Sequence, residues 1–541
     1  MTQRSSDHPT APANLAAFLA RFDWHPEPEL VGYRDETASR AAMEQLGEAT
    51  WRAALDFLYG TAVHRAMGNP ARYADLRREY FGDTSEPSAA PVAPVPAAAI
   101  LDEFAARVAG GLMNAQHPRQ FGYFTPPPLP ISIMGELLAQ MANQGVDVWH
   151  AGPVAAFVEE EVVRWLCDMV GFGRGSFGLL TSGGVMANFM GMALARDVHL
   201  GRLLGAGRAP RGAMLEGVRV YTSDQTHFSI ARSLDELGFP PESLVVIPSD
   251  ERFHLRGAGV AEAVARDRAA GLVPFAIAAV AGSTNTGSVD ALGELANVAT
   301  AEDLWLHVDA AYGGAARLSM RDAGRVADLE RADSVTVDPH KWFFQAYDIG
   351  GLVVRDGRHL GITFGGRSPE YYRGGETPSP DDTHADDAHA DHGDQLNFYK
   401  LGFEGTRRWR ALKLWMSWKH LGSEGFGRLI EANDDLAAHL ARRCVEADDF
   451  EAIPEVPELS VVCFRHLPGG REVALARPAA ELDAHQDALQ AALERSGDGW
   501  LTTTRLRGAT WLRAGIVNYL STEDDIDRLL DTLRSLAGER R

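Results

Sequence analysis

The stretch SVTVDPHKW (Ser334–Trp342) alternates β-branched residues with smaller ones and then runs into Asp-Pro-His-Lys. The alternation predicts a β-strand, and Pro339 predicts the turn that ends it. Lys341 should therefore lie directly after a strand. Most lysines in proteins are solvated, whereas an amine that acts as a nucleophile must be partly desolvated, which lowers its pKa. A functional role for Lys341 thus requires other chemical groups close to the same strand end.

The sequence around this strand alternates short apolar runs with longer helical patterns from about residue 100 to residue 360. The apolar runs are FGLL, VRVYT, SLVVI, PFAIAAV, LWLHV, SVTV and GLVV. Strands that alternate with helices are typical of a parallel sheet covered on both faces. In such sheets ligands bind beyond the carboxyl ends of the strands, which is where the distinctive polar residues fall.

Composition narrows the class of protein. The chain has 541 residues and a net charge of −22, which opposes binding to nucleic acid or to an anionic membrane surface. The N-terminal residues lack an apolar signal core, and no apolar run is long enough to span a membrane. Three scattered cysteines, too few for a disulfide framework, fit a reducing compartment, so a cytoplasmic location is expected.

The chain is expected to have three parts, because 541 residues exceed what one hydrophobic core usually supports. Residues 1–99 comprise an N-terminal helical segment and a linker rich in proline and alanine. Residues 100–412 form a large domain with an acidic, mobile loop at 376–394, and residues 413–541 form a small C-terminal domain. Three loop histidines, His384, His389 and His392, are expected to be solvated, and no metal site is predicted.

Three further features fall at predicted strand ends. Ser182, Gly183 and Gly184 join a strand to a helix, and glycines there allow backbone N–H groups to approach a phosphate. Asp309 ends an apolar strand, and His227 follows another. Each feature alone also fits a structural role, such as a turn, a helix N-cap or a surface histidine. Together with Lys341 they supply the groups that pyridoxal phosphate (PLP) requires.

At this point the sequence resembles a known family, the group II PLP-dependent decarboxylases, which include aromatic amino acid, histidine and glutamate decarboxylases. The matching runs are HPRQFGYFTPPP, TSGGVMANFMGMALAR, YTSDQTHFSIARSL, AGSTNTGSVD, LWLHVDAAYGG, SVTVDPHKW and TRRWRALKLW. They extend in family order from about residue 114 to residue 420. The resemblance implies the PLP-dependent transferase fold (fold type I), an α/β fold whose mainly parallel seven-stranded sheet has helices on both faces. It also implies a small C-terminal α+β domain.

The resemblance also implies a role for each matching residue. Lys341 would hold the cofactor covalently, Asp309 would pair with the pyridine nitrogen, and His227 would stack on the ring. The remaining residues expected to bind PLP contact its phosphate or line the ring and the substrate carboxylate; they are Gly183, Gly184, Val185, Thr284, Ala311, Asp338 and His340. Val185 departs from the family pattern, because relatives often carry a hydroxyl residue there.

In relatives, a tyrosine on a mobile loop usually protonates Cα after carbon dioxide leaves. The corresponding loop here is 376–405, and Tyr399 is the candidate. Counting back from TRRWRALKLW without a gap instead places Phe398 at that position. Phenylalanine there is associated in this family with aldehyde-forming oxidative deamination. Tyr399 is preferred because loops tolerate a shift of one residue, and the aldehyde-forming alternative stays open.

The resemblance also bears on the substrate class and on the oligomeric state. Tyr123, Phe124 and Thr125 match a stretch that lines the substrate pocket in relatives, often across a dimer interface, so a homodimer with the active site at that interface is expected. Aromatic residues favour a neutral, apolar L-amino acid. Ala115, which replaces a bulky tryptophan of aromatic-specific relatives, leaves room for an aliphatic substrate. Three alternatives remain. The enzyme decarboxylates glutamate or diaminobutyrate, it catalyses another PLP-dependent reaction on this fold, or the chain binds the cofactor but has lost catalysis.

Overall fold

The structure is a computed structural model that describes residues 20–31, 36–62, 73–82, 86–207, 209–366 and 396–538. The acidic loop predicted at 376–394, with its three histidines, lies outside the described residues. Eleven strands are present within the described ranges, and seven of them form one sheet. In chain order the strands are β1 (Phe177–Thr181), β2 (Val218–Ser223), β3 (Leu244–Ile247), β4 (Val273–Val280), β5 (Trp305–Asp309), β6 (Ser334–Val337), β7 (Gly350–Val354), β8 (Phe450–Ile453), β9 (Val461–His466), β10 (Thr502–Leu506) and β11 (Ala509–Gly515).

The large sheet has the strand order β1-β7-β6-β5-β4-β2-β3. Strands β6, β5, β4, β2 and β3 are parallel to one another, whereas β7 is antiparallel to both of its neighbours. Every residue of β1, β5, β6 and β7 is buried, so both faces of the sheet are covered there. This explains why these strands are continuous apolar runs. The predicted mainly parallel seven-stranded sheet is confirmed.

The helices connect the strands and cover the sheet. The helix Pro153–Val170 begins with a proline in its first turn and is capped by Gly171, whose φ of 95° is left-handed. The α-helices, in chain order, are α1 (Pro28–Val31), α2 (Glu36–Ala62), α3 (Tyr73–Phe81), α4 (Ala97–Glu103), α5 (Pro130–Ala142), α6 (Pro153–Val170), α7 (Gly184–Leu194), α8 (Gly201–Leu203), α9 (Ser229–Glu236), α10 (Gly257–Ala269), α11 (Leu292–Ala301), α12 (Arg358–Phe364), α13 (Ala411–Glu446), α14 (Arg471–Leu475), α15 (Ala479–Ser496) and α16 (Glu523–Gly538).

A buried ion pair fixes strand β1, which leads into the glycine-rich turn. Glu159 on α6 accepts a hydrogen bond from the backbone N–H of Leu180, 3.0 Å away, and also pairs with Arg407. The Arg407 guanidinium in turn donates to the carbonyl oxygens of Leu180 and Val146. Because both charged groups are buried and bonded to backbone, they define where this strand ends. Arg407 belongs to the TRRWRALKLW run, so part of that motif has a structural function.

The four remaining strands form a smaller antiparallel sheet in the order β10-β11-β9-β8. All four of these strands lie between residues 413 and 541, and β9 and β11 coincide with the apolar runs VVCFRH and ATWLRAG. By contact density the chain divides into two compact units, Met1–Gln120 with Ala491–Trp500, and Phe121–Gln490 with Leu501–Arg541. The three-part division at residues 99 and 412 stays a prediction. None of the helices in the described ranges is long and apolar enough to cross a membrane.

Candidate active site

Five strand-end segments converge at one edge of the large sheet. Strand β1 leads to Gly183, β2 to His227, β4 to Thr284 and β6 to Lys341, while β5 ends on Asp309 itself. These five strands all run in the same direction, because β7 is antiparallel to both β1 and β6, so their carboxyl ends meet at one edge. All five residues line one cavity of about 420 Å³. The structure therefore brings these five predicted residues together at one cavity.

The cavity contains every residue that was predicted to bind the cofactor. These residues are Gly183, Gly184, Val185, His227, Thr284, Asp309, Ala311, Asp338, His340 and Lys341. The four other predicted site residues, which were assigned to the substrate pocket and to protonation, are not part of its lining in a single chain. They are Tyr123, Phe124, Thr125 and Tyr399.

Closely packed glycines form a narrow cradle at the cavity. A Cβ atom on Gly184 would lie 2.7 Å from Asp338 Oδ2, and one on Gly350 would lie 2.5 Å from the Cα of Gly183, so only glycine fits at either position. Gly184 also begins helix α7, whose first N–H groups have no intrahelical acceptor and which has no side-chain cap. Such a helix N-terminus binds anions, including phosphate. The cradle thus fits a phosphate group.

Lys341 is held at the cavity by an ion pair. Its Nζ lies 3.1 Å from Asp338 Oδ2, and its side chain is 24% exposed, which is the partial desolvation expected of a nucleophilic amine. The other carboxylate oxygen of Asp338 is buried and has no hydrogen-bond partner among the described residues. A buried acceptor without a donor is costly, so this oxygen also indicates a site that is completed by a bound group.

Asp309 presents a buried carboxylate at the end of β5. Its Oδ2 accepts a hydrogen bond of 2.8 Å from the side chain of Asn188, and its Oδ1 accepts one of 3.1 Å from the backbone N–H of Ala311. These two donors hold the carboxylate in one orientation. An oriented anion at this edge is the group expected to pair with a protonated pyridine nitrogen.

Two histidines of the cavity are neutral for the same physical reason. Burial lowers the pKa of His227 and of His340, because desolvation disfavours the charged imidazolium. His340 Nδ1 donates to the carbonyl oxygen of Ile349, 2.6 Å away, so its Nε2 carries no proton. His227 Nδ1 accepts from the backbone N–H of Ser229, which leaves the proton of His227 on Nε2.

The predicted substrate-pocket stretch lies beside the cavity. Phe124 is buried, stacks on Tyr312 with ring centroids 4.1 Å apart, and has its centroid 5.9 Å from Lys341 Nζ. The Thr125 hydroxyl lies 3.3 Å from the hydroxyl of Tyr347, and both Tyr312 and Tyr347 line the cavity. Tyr123 is 61% exposed. Phe124 and Thr125 thus contact lining residues, whereas Tyr123 faces solvent in the single chain.

The two loop candidates for protonation occupy different environments. Phe398 is fully buried, stacks on Phe177 at 6.2 Å and lies 4.8 Å beneath the Arg407 guanidinium. Tyr399 is half-buried, and its backbone N–H donates to the carbonyl oxygen of Asp147, 3.1 Å away. The ring of Phe398 is therefore a core residue, while that of Tyr399 is the more accessible of the two.

Sequence reasoning missed three residues that bear on the site. Asn188 and Tyr347 line the cavity, and Arg513 is buried beside it, where its Nε donates to the carbonyl oxygen of Thr284, 2.6 Å away. The signal for Asn188 was a polar residue within an apolar helical run, and for Arg513 a charge within an apolar strand. Buried polar groups of both kinds require partners. No cluster of three or more metal-binding side chains occurs within the described ranges.

Comparisons with known proteins agree with this donor set, which combines a phosphate cradle, an amine and a carboxylate. Residues 82–467 match the family model described as the pyridoxal-dependent decarboxylase conserved domain. The chain is 32% identical over 428 residues to an aromatic-L-amino-acid decarboxylase from Bacillus atrophaeus, covering 79% of this chain and 83% of the relative. It is 31% identical to an L-2,4-diaminobutyrate decarboxylase from Rhizobium meliloti (strain 1021), covering 82% of each.

The chain is also similar to a protein whose structure was solved with PLP bound. The structure of Oryza sativa TDC with PLP and tryptamine matches with a TM-score of 0.81 and 25% identity, covering 93% of this chain and 99% of that one. The PLP-dependent transferase fold, the cofactor and the decarboxylase class that the sequence indicated are confirmed. The chain therefore belongs to the pyridoxal-dependent decarboxylase family and is a carboxy-lyase that uses pyridoxal phosphate.

Proposed function

We propose that the enzyme converts a neutral, apolar L-amino acid, aromatic or aliphatic, into the corresponding amine and carbon dioxide. The observation that carries this proposal is the apolar part of the cavity lining. Besides its charged groups, the cavity is lined by Met186, Phe228, Tyr312 and Tyr347. Aromatic and thioether side chains bind an apolar side chain well and leave a charged one without a partner.

The proposed roles of the chain's own residues follow from their chemistry. When bound, PLP accepts the electron pair that remains at the substrate Cα when carbon dioxide departs. Asp309 keeps the ring nitrogen protonated, because an adjacent carboxylate favours the cationic form. Lys341 holds the cofactor covalently, and Asp338 orients its amine through the 3.1 Å ion pair. The neutral His227, which lines the cavity and carries its proton on Nε2, would stack on the ring.

The remaining contacts position the cofactor. The phosphate is proposed to bind at the N-terminus of α7, where Gly183, Gly184 and the backbone of Val185 leave room for it. His340 lies next to this cradle, since a Cβ on Gly183 would contact its ring at 3.3 Å. Thr284 and Ala311, which line the cavity, flank the ring or the substrate carboxylate. Tyr123, Phe124 and Thr125 are assigned to the substrate side.

We assign protonation of Cα to Tyr399. The burial of Phe398 in the core supports this assignment, because a ring held between Phe177 and Arg407 has no path to a substrate. Tyr399 lies outside the cavity lining of its own chain, so the proposed site includes a second copy of the chain. Phe228 and Val185 at the cavity remain 55% and 40% exposed, which supports a homodimer that covers them. The three buried free cysteines are consistent with the proposed cytoplasmic location.

The deciding experiment is product analysis of the PLP-loaded enzyme with a panel of L-amino acids. Amine and carbon dioxide are expected in equal amounts from one or more apolar substrates, without peroxide or ammonia. Tyr399→Phe is expected to lower amine formation by roughly 10²-fold or more, the usual contribution of a general acid, while PLP stays bound. Tyr519→Phe, whose hydroxyl donates to the Pro128 carbonyl oxygen, is the matched control and should retain normal activity.

Other results of this panel would support the alternatives. Aldehyde, ammonia and peroxide from the parent enzyme would identify oxidative deamination. A PLP-loaded protein that turns over no amino acid would support the non-catalytic alternative. Amine formation that is unaffected by Tyr399→Phe would contradict the assignment of the proton donor.

Arg513 favours a second candidate, decarboxylation of an amino acid with an acidic side chain. The guanidinium is buried, its Nη2 has no hydrogen-bond partner among the described residues, and it lies 4.8 Å from the centroid of the Phe124 ring. Burial lowers the pKa of Arg513, because removing a cation from water is costly. A buried cation of this kind is usually paired with an anion. A carboxylate of the substrate could supply that anion.

Arg513→Gln separates the two candidates. If Arg513 binds a side-chain carboxylate, this variant should lose at least about 10-fold in kcat/KM with glutamate, the range expected when a hydrogen bond to a charged group is lost. Activity with apolar substrates should then stay within about 3-fold of the parent enzyme. If the parent enzyme has no activity on acidic substrates, the second candidate is wrong and the apolar proposal stands. Lys419→Gln, on an exposed part of α13, is the control for loss of one positive charge.

A further inference from the structure

A continuous chain of hydrogen bonds leads through the core to Asp309. Trp305 Nε1 donates to Ser334 Oγ (3.0 Å), Ser334 Oγ lies 2.8 Å from His307 Nδ1, and His307 Nε2 lies 2.9 Å from Asn188 Oδ1. Asn188 Nδ2 then donates to Asp309 Oδ2 (2.8 Å). Three of the five side chains lie on one face of β5, because they occupy alternate positions. All five are buried.

The direction of these hydrogen bonds is fixed by the tryptophan. An indole N–H only donates, so Ser334 Oγ accepts from Trp305 and must place its own hydrogen elsewhere. Among the described residues its remaining acceptor is His307 Nδ1. Burial lowers the pKa of His307 to about 4, so the ring is neutral and has one donor and one acceptor nitrogen. With Nδ1 accepting, Nε2 carries the proton and donates to Asn188.

The same argument determines the orientation of the Asn188 carboxamide. Its oxygen accepts from His307 and from the Thr336 hydroxyl, 2.7 Å away, so its NH₂ group points at Asp309. A flipped amide would place two acceptor oxygens against each other at 2.8 Å. Thr336 cannot prevent such a flip, because a hydroxyl rotates and either donates or accepts. His307 can prevent it, since its tautomer is fixed by Ser334.

A branch of this hydrogen-bond network reaches His227, a second residue that lines the cavity. The other N–H of Asn188 donates to Ser229 Oγ, 2.8 Å away, and the Ser229 hydroxyl lies 2.8 Å from His227 Nδ1. Because Ser229 Oγ accepts from Asn188, its hydrogen is free to donate to His227. The Nδ1 atom of His227 is therefore an acceptor, in agreement with the backbone N–H bond from Ser229. One carboxamide thus orients both the carboxylate and the histidine.

We propose that Trp305, Ser334, His307 and Asn188 are positioning residues that form a one-way hydrogen-bond relay. The relay presents the NH₂ group of Asn188 to Asp309, which keeps that carboxylate an oriented acceptor. It also keeps the proton of His227 on Nε2. This inference rests on the roles proposed above for Asp309 and His227 and deepens them, because it explains how residues outside the cavity set the state of both.

The test is a pair of substitutions at His307 that differ in one donor. The side-chain nitrogen of His307→Gln can take the place of Nε2–H and donate to Asn188, whereas His307→Leu keeps the bulk and removes the donor. The dissociation constant of PLP is measured by titrating the apoprotein while following intrinsic fluorescence. His307→Leu is expected to raise this constant by about 10- to 100-fold, as is typical when a partner behind a binding group is lost. His307→Gln is expected to stay within about 3-fold.

Trp305→Phe provides a second variant that retains an aromatic ring if His307→Leu does not fold. It removes only the indole N–H that sets the direction of the hydrogen bonds. Its PLP dissociation constant should therefore lie between those of the parent and of His307→Leu. The thermal midpoint of each apoprotein reports packing loss separately. Equal PLP affinity for the Gln and Leu variants, or for Trp305→Phe and the parent, would overturn the relay.

A reference variant distinguishes failure of the relay from failure of the proposed roles. Asp309→Asn should weaken PLP binding if Asp309 contacts the cofactor at all. If Asp309→Asn weakens binding while Trp305→Phe and His307→Leu do not, the relay is wrong and the role of Asp309 stands. If Asp309→Asn also leaves the affinity unchanged, the proposed role of Asp309 is itself wrong.

Discussion

Lys341→Ala is expected to abolish covalent attachment of PLP and to slow amine formation by at least about 10³-fold, which corresponds to roughly 4 kcal/mol of activation free energy. The physical reason is that the amine of Lys341, partly desolvated and paired with Asp338 at 3.1 Å, is the nucleophile that we propose for the cavity. Borohydride treatment followed by peptide mass analysis of the parent enzyme should locate the cofactor on the peptide that contains Lys341. The variant should carry no such adduct.

Lys419→Ala is the control for this experiment, because that lysine lies on the exposed side of α13 beside Glu161. It should retain the borohydride adduct and normal turnover. An adduct that forms on another lysine in Lys341→Ala, together with activity within about 10-fold of the parent, would show that Lys341 is not the attachment site.

The sequence contained enough local information to predict the sheet and to select four residues that lie together at one cavity. Gly183, His227, Asp309 and Lys341 each lie within four residues of the end of a strand, so a strand and its following turn place them without knowledge of distant packing. Parallel pairing then brings the strand ends together. A short-range sequence pattern was therefore sufficient to locate the residues that follow directly after a strand.

The residues that were missed depend on contacts between distant parts of the chain. Asn188 reaches Asp309 across 121 positions, and Arg513 reaches Thr284 across 229 positions. Nothing in the local pattern around either residue identifies its partner. A buried polar side chain in an apolar run signals only that some partner must exist.

The distinction between Tyr399 and Phe398 shows the same limit. Counting residues back from the TRRWRALKLW motif places Phe398 at the protonating position. Such a count contains no information about which side chain is buried. In the structure Phe398 packs under Arg407, a residue of that same motif. The motif therefore fixes Phe398 in the core, and the neighbouring Tyr399 is left as the candidate that a loop can present to a substrate.

Asp309→Asn is expected to lower kcat by about 10²- to 10³-fold, the usual effect of removing one preorganised electrostatic group, while the protein still folds and binds PLP more weakly. Asn188 and the backbone N–H of Ala311 donate to the two oxygens of Asp309, so the introduced amide can serve only one of these donors and carries no negative charge. A neutral amide does not stabilise a protonated ring nitrogen, whereas the carboxylate does. The variant should therefore hold the cofactor in the form that accepts electrons poorly.

A chemical rescue makes this prediction specific. PLP that is methylated on its ring nitrogen carries a permanent positive charge, so it should restore part of the rate of Asp309→Asn, although it should not improve the parent enzyme. Asp356→Asn, which removes a carboxylate paired with Arg358 away from the cavity, is the control for a lost negative charge. A rate within about 10-fold of the parent for Asp309→Asn, or equal rates with both forms of PLP, would contradict the pairing of Asp309 with the ring nitrogen. Rescue would show that the charge of the ring nitrogen, which the carboxylate at the end of β5 maintains, limits the reaction in the variant.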